Sequence, residues 1–412
     1  MVTRDQSPEP TDKLTRAPIS WHLWRNAMAG KPAGDGWEVT FFSDAWVLDE
    51  IRGGMGPYQL LNLVSRMAKP AHGEAEPAVA LRVLEHGADE LEQLALAPLG
   101  EKVQKGSYHG GSLADEIAAL VSLLAGVRCQ AGPVSRRYLA GGDPAGSPTW
   151  DSTQVPKLIG PPPGWRPRLP SISLELNLGE LREPLSRYPR LSAGNARELI
   201  RAARLHQEAT WNADADPQLA WLQIVGAVEV AAERWRGPKT GAVARVRSAD
   251  PVLAEILDRA TPSVREAVAE HLQGTLSSTS RFVRFMKEFA PPPRRPRPPR
   301  PYRLDRRRLT TSMRAIYARR SEALHGGVPI PFPMCEAPAV DKRGRIPERT
   351  PALGSGTWDA SWPADATPMY LNTFAELARG ALLAWWESLP LESEPGIRRT
   401  RSRSKPKPRT KS

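Results

Sequence analysis

The stretch from about Pro217 to Arg234 places the strongest constraint on the fold. Leu219, Leu222, Ile224, Val225, Val228 and Val230 spread apolar groups around nearly the whole circumference of a helix. A helix that is apolar on every side belongs at the centre of a bundle. Glu229 is the conspicuous acid inside this pattern, and a carboxylate is normally buried only when it is paired. It either orders a basic group across the bundle or faces solvent where the neighbouring region leaves a gap. Further helices supply a shell. One runs from about Ala196 to Thr210 with Leu199, Ile200 and Ala203 on one side. Shorter helical turns cover Pro251 to Ala260 and Ser263 to Leu272, and another helix covers Thr279 to Phe289. A last helix from about Pro368 to Ser388 carries Phe374, Leu377, Ala381, Leu382 and Trp385.

The chain of 412 residues is long enough for two domains with irregular edges. Residues 1–35 read as a flexible N-terminus. Residues 36–140 read as an α+β or mostly helical domain, residues 141–191 as a Pro/Gly-rich connection with a short extended segment, and residues 391–412 as a disordered basic tail. Residues 192–390 form the helical domain, interrupted at 291–308 by a Pro/Arg-rich insertion. The fold class is therefore mainly α, with a C-terminal helical bundle behind a helical or α+β N-terminal domain. Within that first domain, Trp37-Glu-Val-Thr-Phe-Phe reads as a strand. Tyr58 to Met67 and Ala78 to Leu96 read as helical, and Leu113 to Val127 is a clearer helix faced by Ile117, Leu120, Val121 and Leu124. Arg128 to Tyr138 reads as a break with clustered arginines, and Ile172 to Leu178 as an extended segment.

Charge is concentrated. Eight basic residues and no acids lie between Arg398 and Lys411, and eight arginines between Pro291 and Arg308 are offset by Asp305 alone, within a formal net charge of +12. The rest of the chain is close to neutral. Two proline-rich basic segments suit flexible arms that gather a polyanion without reading its sequence. The internal one leads directly into the next helix. Only Cys129 and Cys335 occur, without a Cys-x-x-Cys neighbour, so a zinc or disulfide framework is not expected and a reducing cytoplasm is. No apolar run approaches a membrane span, the opening residues lack an apolar signal region, and no membrane partner is expected.

The chemistry-bearing run is Tyr317-Ala-Arg-Arg-Ser-Glu-Ala-Leu-His325-Gly-Gly. Met313, Ile316, Tyr317, Arg320 and Leu324 recur at steps of three and four, predicting a helix that starts near Leu309 or Thr310 with Thr310 or Thr311 as its cap and stops at the glycines. Arg320 falls on the core-facing stripe, where a guanidinium requires a partner, a ligand or a second subunit. His325 is rotated roughly 140° away on the same helix. One copy thus makes a poor acid/base pair, and two copies meeting across a symmetry axis make a better one. By themselves these residues also describe an amphipathic helix with a surface histidine and a glycine cap.

Tyr317, Arg320, Ser321, His325 and Gly326 reproduce a Tyr-x-x-Arg-Ser-x-x-x-His-Gly run that resembles the Arg-x4-His signature of the HEPN superfamily, most closely its Apea-like branch. The helix Leu219-Ala-Trp-Leu-Gln-Ile-Val-Gly-Ala-Val-Glu229 is similar to a branch helix with a late glutamate. The resemblance covers roughly residues 195–388 and departs from compact members at the 291–308 insertion. It implies a HEPN-like bundle and a homodimer whose Arg320 and His325 form a metal-independent endoribonuclease site needing no cofactor. RNA is the implied substrate, because attack by a 2′-hydroxyl is unavailable to DNA. Glu229, Tyr317 and Ser321 become supporting residues. Arg294, Arg295, Arg297, Arg300, Arg303, Arg306, Arg307, Arg308 and Arg319 become candidate RNA contacts. Antiviral defence or toxin-like growth arrest, with a phage-derived trigger or an antitoxin-like regulatory partner, is also implied. The competing reading is a noncatalytic HEPN-like module for dimerisation, RNA binding or regulation. His72, His86, His109, His206 and His271 read as ordinary surface or packing residues.

Overall fold

In the computed structural model the described residues are 17–63, 73–87, 111–140, 142, 144–235, 241–249, 251–350, 355–357 and 360–392. The expected disordered basic tail, apart from its first two residues, and the first sixteen residues of the expected flexible N-terminus lie outside them. A mixed α+β N-terminal region precedes a largely helical C-terminal region.

The N-terminal region opens with α1 (Ile19–Met28), followed by the strands β1 (Ala33–Ser43), β2 (Trp46–Leu48), β3 (Tyr58–Asn62) and β4 (Glu76–His86). Helix α2 (Leu113–Ala125) and strands β5 (Gln130–Tyr138), β6 (Ser147–Pro148) and β7 (Glu175–Asn177) complete it. The main sheet has the order β3-β4-β1-β5-β6, with antiparallel neighbours throughout, while β2 pairs β7 in parallel. The expected strand at Trp37 is thus the middle of β1, the centre of the sheet. Two helical expectations are corrected, because Tyr58–Asn62 and Glu76–His86 are paired strands; residues 64–67 and 88–96 of those expectations fall outside the described residues. Ala78, Val79, Leu81 and Val83 are buried by pairing and by α1, which overrides the helical preference of an Ala/Leu-rich run.

The supposed break at Arg128 to Tyr138 is likewise corrected to strand β5. Its Gly132-Pro133 pair coincides with a register shift in the β1–β5 ladder, between Val39 opposite Val134 and Phe41 opposite Ala131. Such an irregularity lets a residue without an N–H remain in a strand. A capping box at Ser112 and Asp115 starts α2. The buried Glu116 carboxylate on α2 accepts from the backbone N–H groups of Ile19 and Ser20, at 3.2 and 2.8 Å, and so caps α1.

The helical region comprises α3 (Arg182–Arg187), α4 (Ala193–Asn212), α5 (Pro217–Trp235), α6 (Ala242–Ala249), α7 (Pro251–Leu257), α8 (Pro262–His271), α9 (Gln273–Phe289), α10 (Leu309–Gly326), α11 (Phe332–Cys335) and α12 (Leu371–Ser388), with a small hairpin of β8 (Ser355–Thr357) and β9 (Ala360–Trp362). Helix α5 is central: α4, α9, α10 and α12 all pack on it. Its Trp221 stacks on Phe374 of α12 with ring centres 5.0 Å apart.

A single apolar cluster runs from Ala17 to Leu389, so the two regions share one core. A buried polar clasp reinforces the seam. Arg128, 1% exposed, donates to Asp44 at 2.8 Å and to Asp214 at 2.9 Å. Asp214 also accepts from the backbone N–H of Arg168 at 2.7 Å. The 291–308 segment is no free arm either. Leu304 is buried, and the segment docks between α12 and residues 346–348 through its arginines, as described below. Helix α10 begins at Leu309 without the expected threonine cap. Instead Asp305 caps the preceding 3-10 turn, accepting from the N–H of Arg307 at 3.0 Å.

Candidate functional site

Helix α10 carries the Arg-x4-His run along its final turns. Met313, Ile316 and Tyr317 are buried against α5 and α9, whereas Leu324 is 50% exposed. The helix therefore loosens from the core after Tyr317, partway through the motif, and keeps a last partly buried contact with it at Ala323.

Arg320 turns back towards α5. Its Nη2 donates to Glu229 Oε2 at 2.6 Å, and its guanidinium carbon lies 5.7 Å from the centre of the Tyr317 ring. The Tyr317 hydroxyl donates to the second carboxylate oxygen, Oε1, at 2.7 Å. Glu229 thus orients two neighbouring side chains of α10 through charge-assisted bonds. Burial first, and then the Glu229 carboxylate, push the Tyr317 phenol up to about 12, which keeps it a hydrogen-bond donor at neutral pH. Phe282 packs against the tyrosine ring at 5.3 Å. Both members of the ion pair retain 22% exposure, so the pair stands at the edge of the bundle rather than inside it. Arg320 Nε is buried with no hydrogen-bond partner among the described residues.

His325 does not join this network. It is exposed on the last turn, five residues beyond Arg320. Gly327 closes the helix at φ 64°, a left-handed conformation suited to glycine, and its N–H and that of Val328 both return to the Glu322 carbonyl. Ser321 is half-buried beside Arg320, and Arg319 pairs with Glu322 at 2.7 Å. Within one chain the structure brings Arg320, Tyr317 and Glu229 together and leaves His325 outside.

The arginines of the insertion are divided. Arg294 pairs with Glu376 at 2.9 Å and Arg297 with Glu348 at 2.7 Å. Arg303 donates to the Pro298 carbonyl at 2.6 Å, and Arg306 to the carbonyls of Ala290 and Pro291. Arg295, Arg300, Arg307 and Arg308 are exposed. Two of the eight therefore hold the segment against α12 and Glu348, and two more brace the segment on its own backbone and on the end of α9.

A cleft of about 430 Å³, not foreseen from the sequence, opens beside Glu229. Arg197 and Arg201 of α4, Arg234 of α5 and Arg281 of α9 line it, together with Glu198 and Glu233. Glu198 receives Arg197 and Arg201 at 2.7 and 2.8 Å, Glu233 receives Arg281 at 2.8 Å, and Arg234 is held by the neutral Asn195 side chain at 2.6 Å. Because Glu229 is occupied by Arg320, the cleft retains a small positive excess. The i,i+4 spacing of Arg197 and Arg201 marks a basic face on α4. Their convergence with arginines from two other helices is long-range and has no local signature. Among the described residues no three His, Cys, Asp or Glu side chains gather as a metal-holding group, and no helix is long and apolar enough to cross a membrane.

Comparison of the chain with protein-family models, with curated proteins and with solved structures finds no match.

Proposed function

We propose that the chain is a HEPN-like endoribonuclease that acts as a homodimer, with Arg320 and His325 of two copies around one phosphodiester. The observation that carries this reading is the division of labour along α10. Arg320 is oriented by Glu229 and Tyr317 at the bundle edge, while His325 stands free at the exposed end of the same helix. Leu324, Val328 and Phe332, each about half exposed and within seven residues of His325 along the chain, offer apolar surface for a second copy to cover.

In this reading a guanidinium donates to a nonbridging phosphate oxygen and keeps its charge throughout. One histidine takes the proton of the ribose 2′-hydroxyl as that oxygen attacks phosphorus. The bond to the 5′-oxygen breaks, and a second histidine returns a proton to the departing oxygen. The products are a cyclic 2′,3′-phosphate and a free 5′-hydroxyl, with no metal in the balance. The cleft beside Glu229 offers a weakly positive path for the RNA backbone. Antiviral defence or growth arrest is the proposed biological setting, following the resemblance.

One observation favours a second reading, a noncatalytic dimerisation or RNA-binding module: Glu229 already meets the charge of Arg320 at 2.6 Å. RNA incubated in EDTA with the wild type, Arg320→Ala, His325→Ala and a refolded mixture of the two variants decides between them. The enzyme reading expects cleavage by the wild type, loss in each variant with RNA binding retained, and no recovery in the mixture, whose mixed dimer holds only one of the two histidines that the proton transfers require. RNA binding without cleavage by a dimeric wild type supports the module, and a strictly monomeric protein at assay concentration overturns the composite site.

A further inference from the structure

A second cavity, of about 320 Å³, lies at the seam between the two regions and shares no lining residue with the cleft beside Glu229. The end of α2 forms one side, His206 and Thr210 of α4 another, and α12 a third. The 291–306 segment closes it with the rings of Pro291, Pro292, Pro293, Pro296 and Pro298. Gly126 and Gly380 keep the walls close. A side chain at Gly126 (φ 69°) would meet the Arg379 guanidinium at 2.8 Å, and one at Gly380 would meet the Pro291 ring at 2.3 Å. The space is mostly apolar, with a few converging polar groups, and its volume is at the lower end of small-molecule sites, roughly 300–1,000 Å³.

Its charges do not balance. Four guanidiniums and two carboxylates line it. Arg294 and Arg297 are answered by Glu376 and Glu348. Arg306 and Arg379 donate instead to backbone carbonyls, of Ala290 and Pro291 in one case and of Leu123 and Leu124 in the other. A carbonyl satisfies a hydrogen bond without neutralising a charge, and arginine does not shed its proton to escape burial. Two donor-rich positive groups are therefore left over. Arg306 Nη1 is buried without a hydrogen-bond partner among the described residues, as is His206 Nδ1 on a side chain only 2% exposed. Burial, then the nearby Arg379, push the His206 imidazole down to about 3, so it stands neutral beside that guanidinium. Water can satisfy an orphan donor, but it cannot offset the charge.

We propose that this cavity is a binding site for a small organic anion, with a flat apolar body against the proline wall and a carboxylate or phosphate between Arg306 and Arg379. Such an occupant touches both regions of the chain at once. The site is independent of the proposed ribonuclease chemistry.

Three probes sharing one ring test it on the full-length protein: 1-naphthoate, 1-naphthyl phosphate and the uncharged 1-naphthamide, titrated by calorimetry. At least one anion is expected to bind about tenfold or more tighter than the amide, equivalent to about 1.4 kcal/mol; which anion wins identifies the head group. Arg306→Met should abolish that preference while leaving amide binding unchanged. Ala125→Leu, which fills the cavity beside Gly126, should weaken all three probes. Should Arg306→Met fail to fold, hydrogen exchange on the wild type decides: the preferred anion should protect residues 291–306 more than the amide does. Equal binding of anions and amide, no anion binding at about 1 mM, a preference that survives in folded Arg306→Met, or no added protection of residues 291–306 would each overturn the proposal.

Discussion

Two arginine–carboxylate networks organise this molecule, and they differ in how far each is closed. Arg128 lies between Asp44 and Asp214, with all three side chains at most 2% exposed, and joins the sheet to the turn between α4 and α5. Arg320 meets Glu229 with both side chains 22% exposed, and one of its nitrogens is buried without a partner. In the first, each Arg128 nitrogen donates within the protein and the one buried atom without a partner is an acceptor, Asp44 Oδ1, so the geometry is fixed and no donor is left for a ligand. A half-open network orients a charge while keeping it within reach of something that arrives from outside. The first reads as architecture and the second as a site, so substitutions in them should separate stability from activity.

The largest effect is expected at Arg128. Arg128→Met leaves two carboxylates buried with no cation between them, and breaking one side of a buried pair costs about 3–5 kcal/mol. Urea unfolding should show that loss, with the sheet and the bundle weakened together because they share one core. Separate transitions for the two regions would break the picture of a single clasped body.

Next comes a pH effect at another buried position. His206 is held neutral, its pKa pushed from an ordinary 6.5 to about 3. Below pH 6.5 the unfolded chain binds a proton that the folded chain refuses, so stability falls as the pH drops from about 6.5 towards 3. The loss attributable to this residue is about 2 kcal/mol by pH 5. His206→Phe should flatten that part of the curve. An unchanged slope would show that other groups dominate acid unfolding.

At the half-open network, Glu229→Ala removes an exposed-edge ion pair and the acceptor for the Tyr317 hydroxyl, for about 1–2 kcal/mol after screening. RNA cleavage should fall more than that loss explains, because Arg320 is no longer oriented. Glu229→Gln, which retains an acceptor for Tyr317, should recover most of the stability and little of the activity. Equal recovery of both would make Glu229 a packing residue only.

How much of this was legible in the chain depended on the range of the interaction. The apolar circumference of α5, the acid Glu229 set within it and the glycine stop after His325 are local patterns, and the helices they mark are present. Strand β4 reads as a helix because Ala78 to Leu84 has the composition of one, and it becomes a strand only between β1 and β3, each remote along the chain. Arg128 reads as one of the clustered arginines at a break because Asp44 and Asp214 are remote in sequence. The proline-rich segment looked like a free arm for the same reason: its carboxylates, Glu348 and Glu376, come later. Of the candidate site, Arg320, Tyr317 and Glu229 could be grouped in advance. The basic cleft and the seam cavity required several distant segments at once.

The smallest stability effect belongs to His325, and it sharpens the comparison most. An exposed side chain on the last turn of a helix, in front of a glycine that closes the turn by itself, should change stability by less than about 0.5 kcal/mol when replaced by alanine. The same replacement should reduce cleavage by about a hundredfold or more if the imidazole moves a proton. RNA affinity, measured by filter binding, should stay near that of the wild type. A fall in affinity as large as the fall in rate would make His325 a docking group, and a stability loss as large as that of Glu229→Ala would show that it is not the free end of the helix. Only a variant that folds, binds and fails to cut places the proton transfer on this residue and leaves the orienting work to Glu229 and Tyr317.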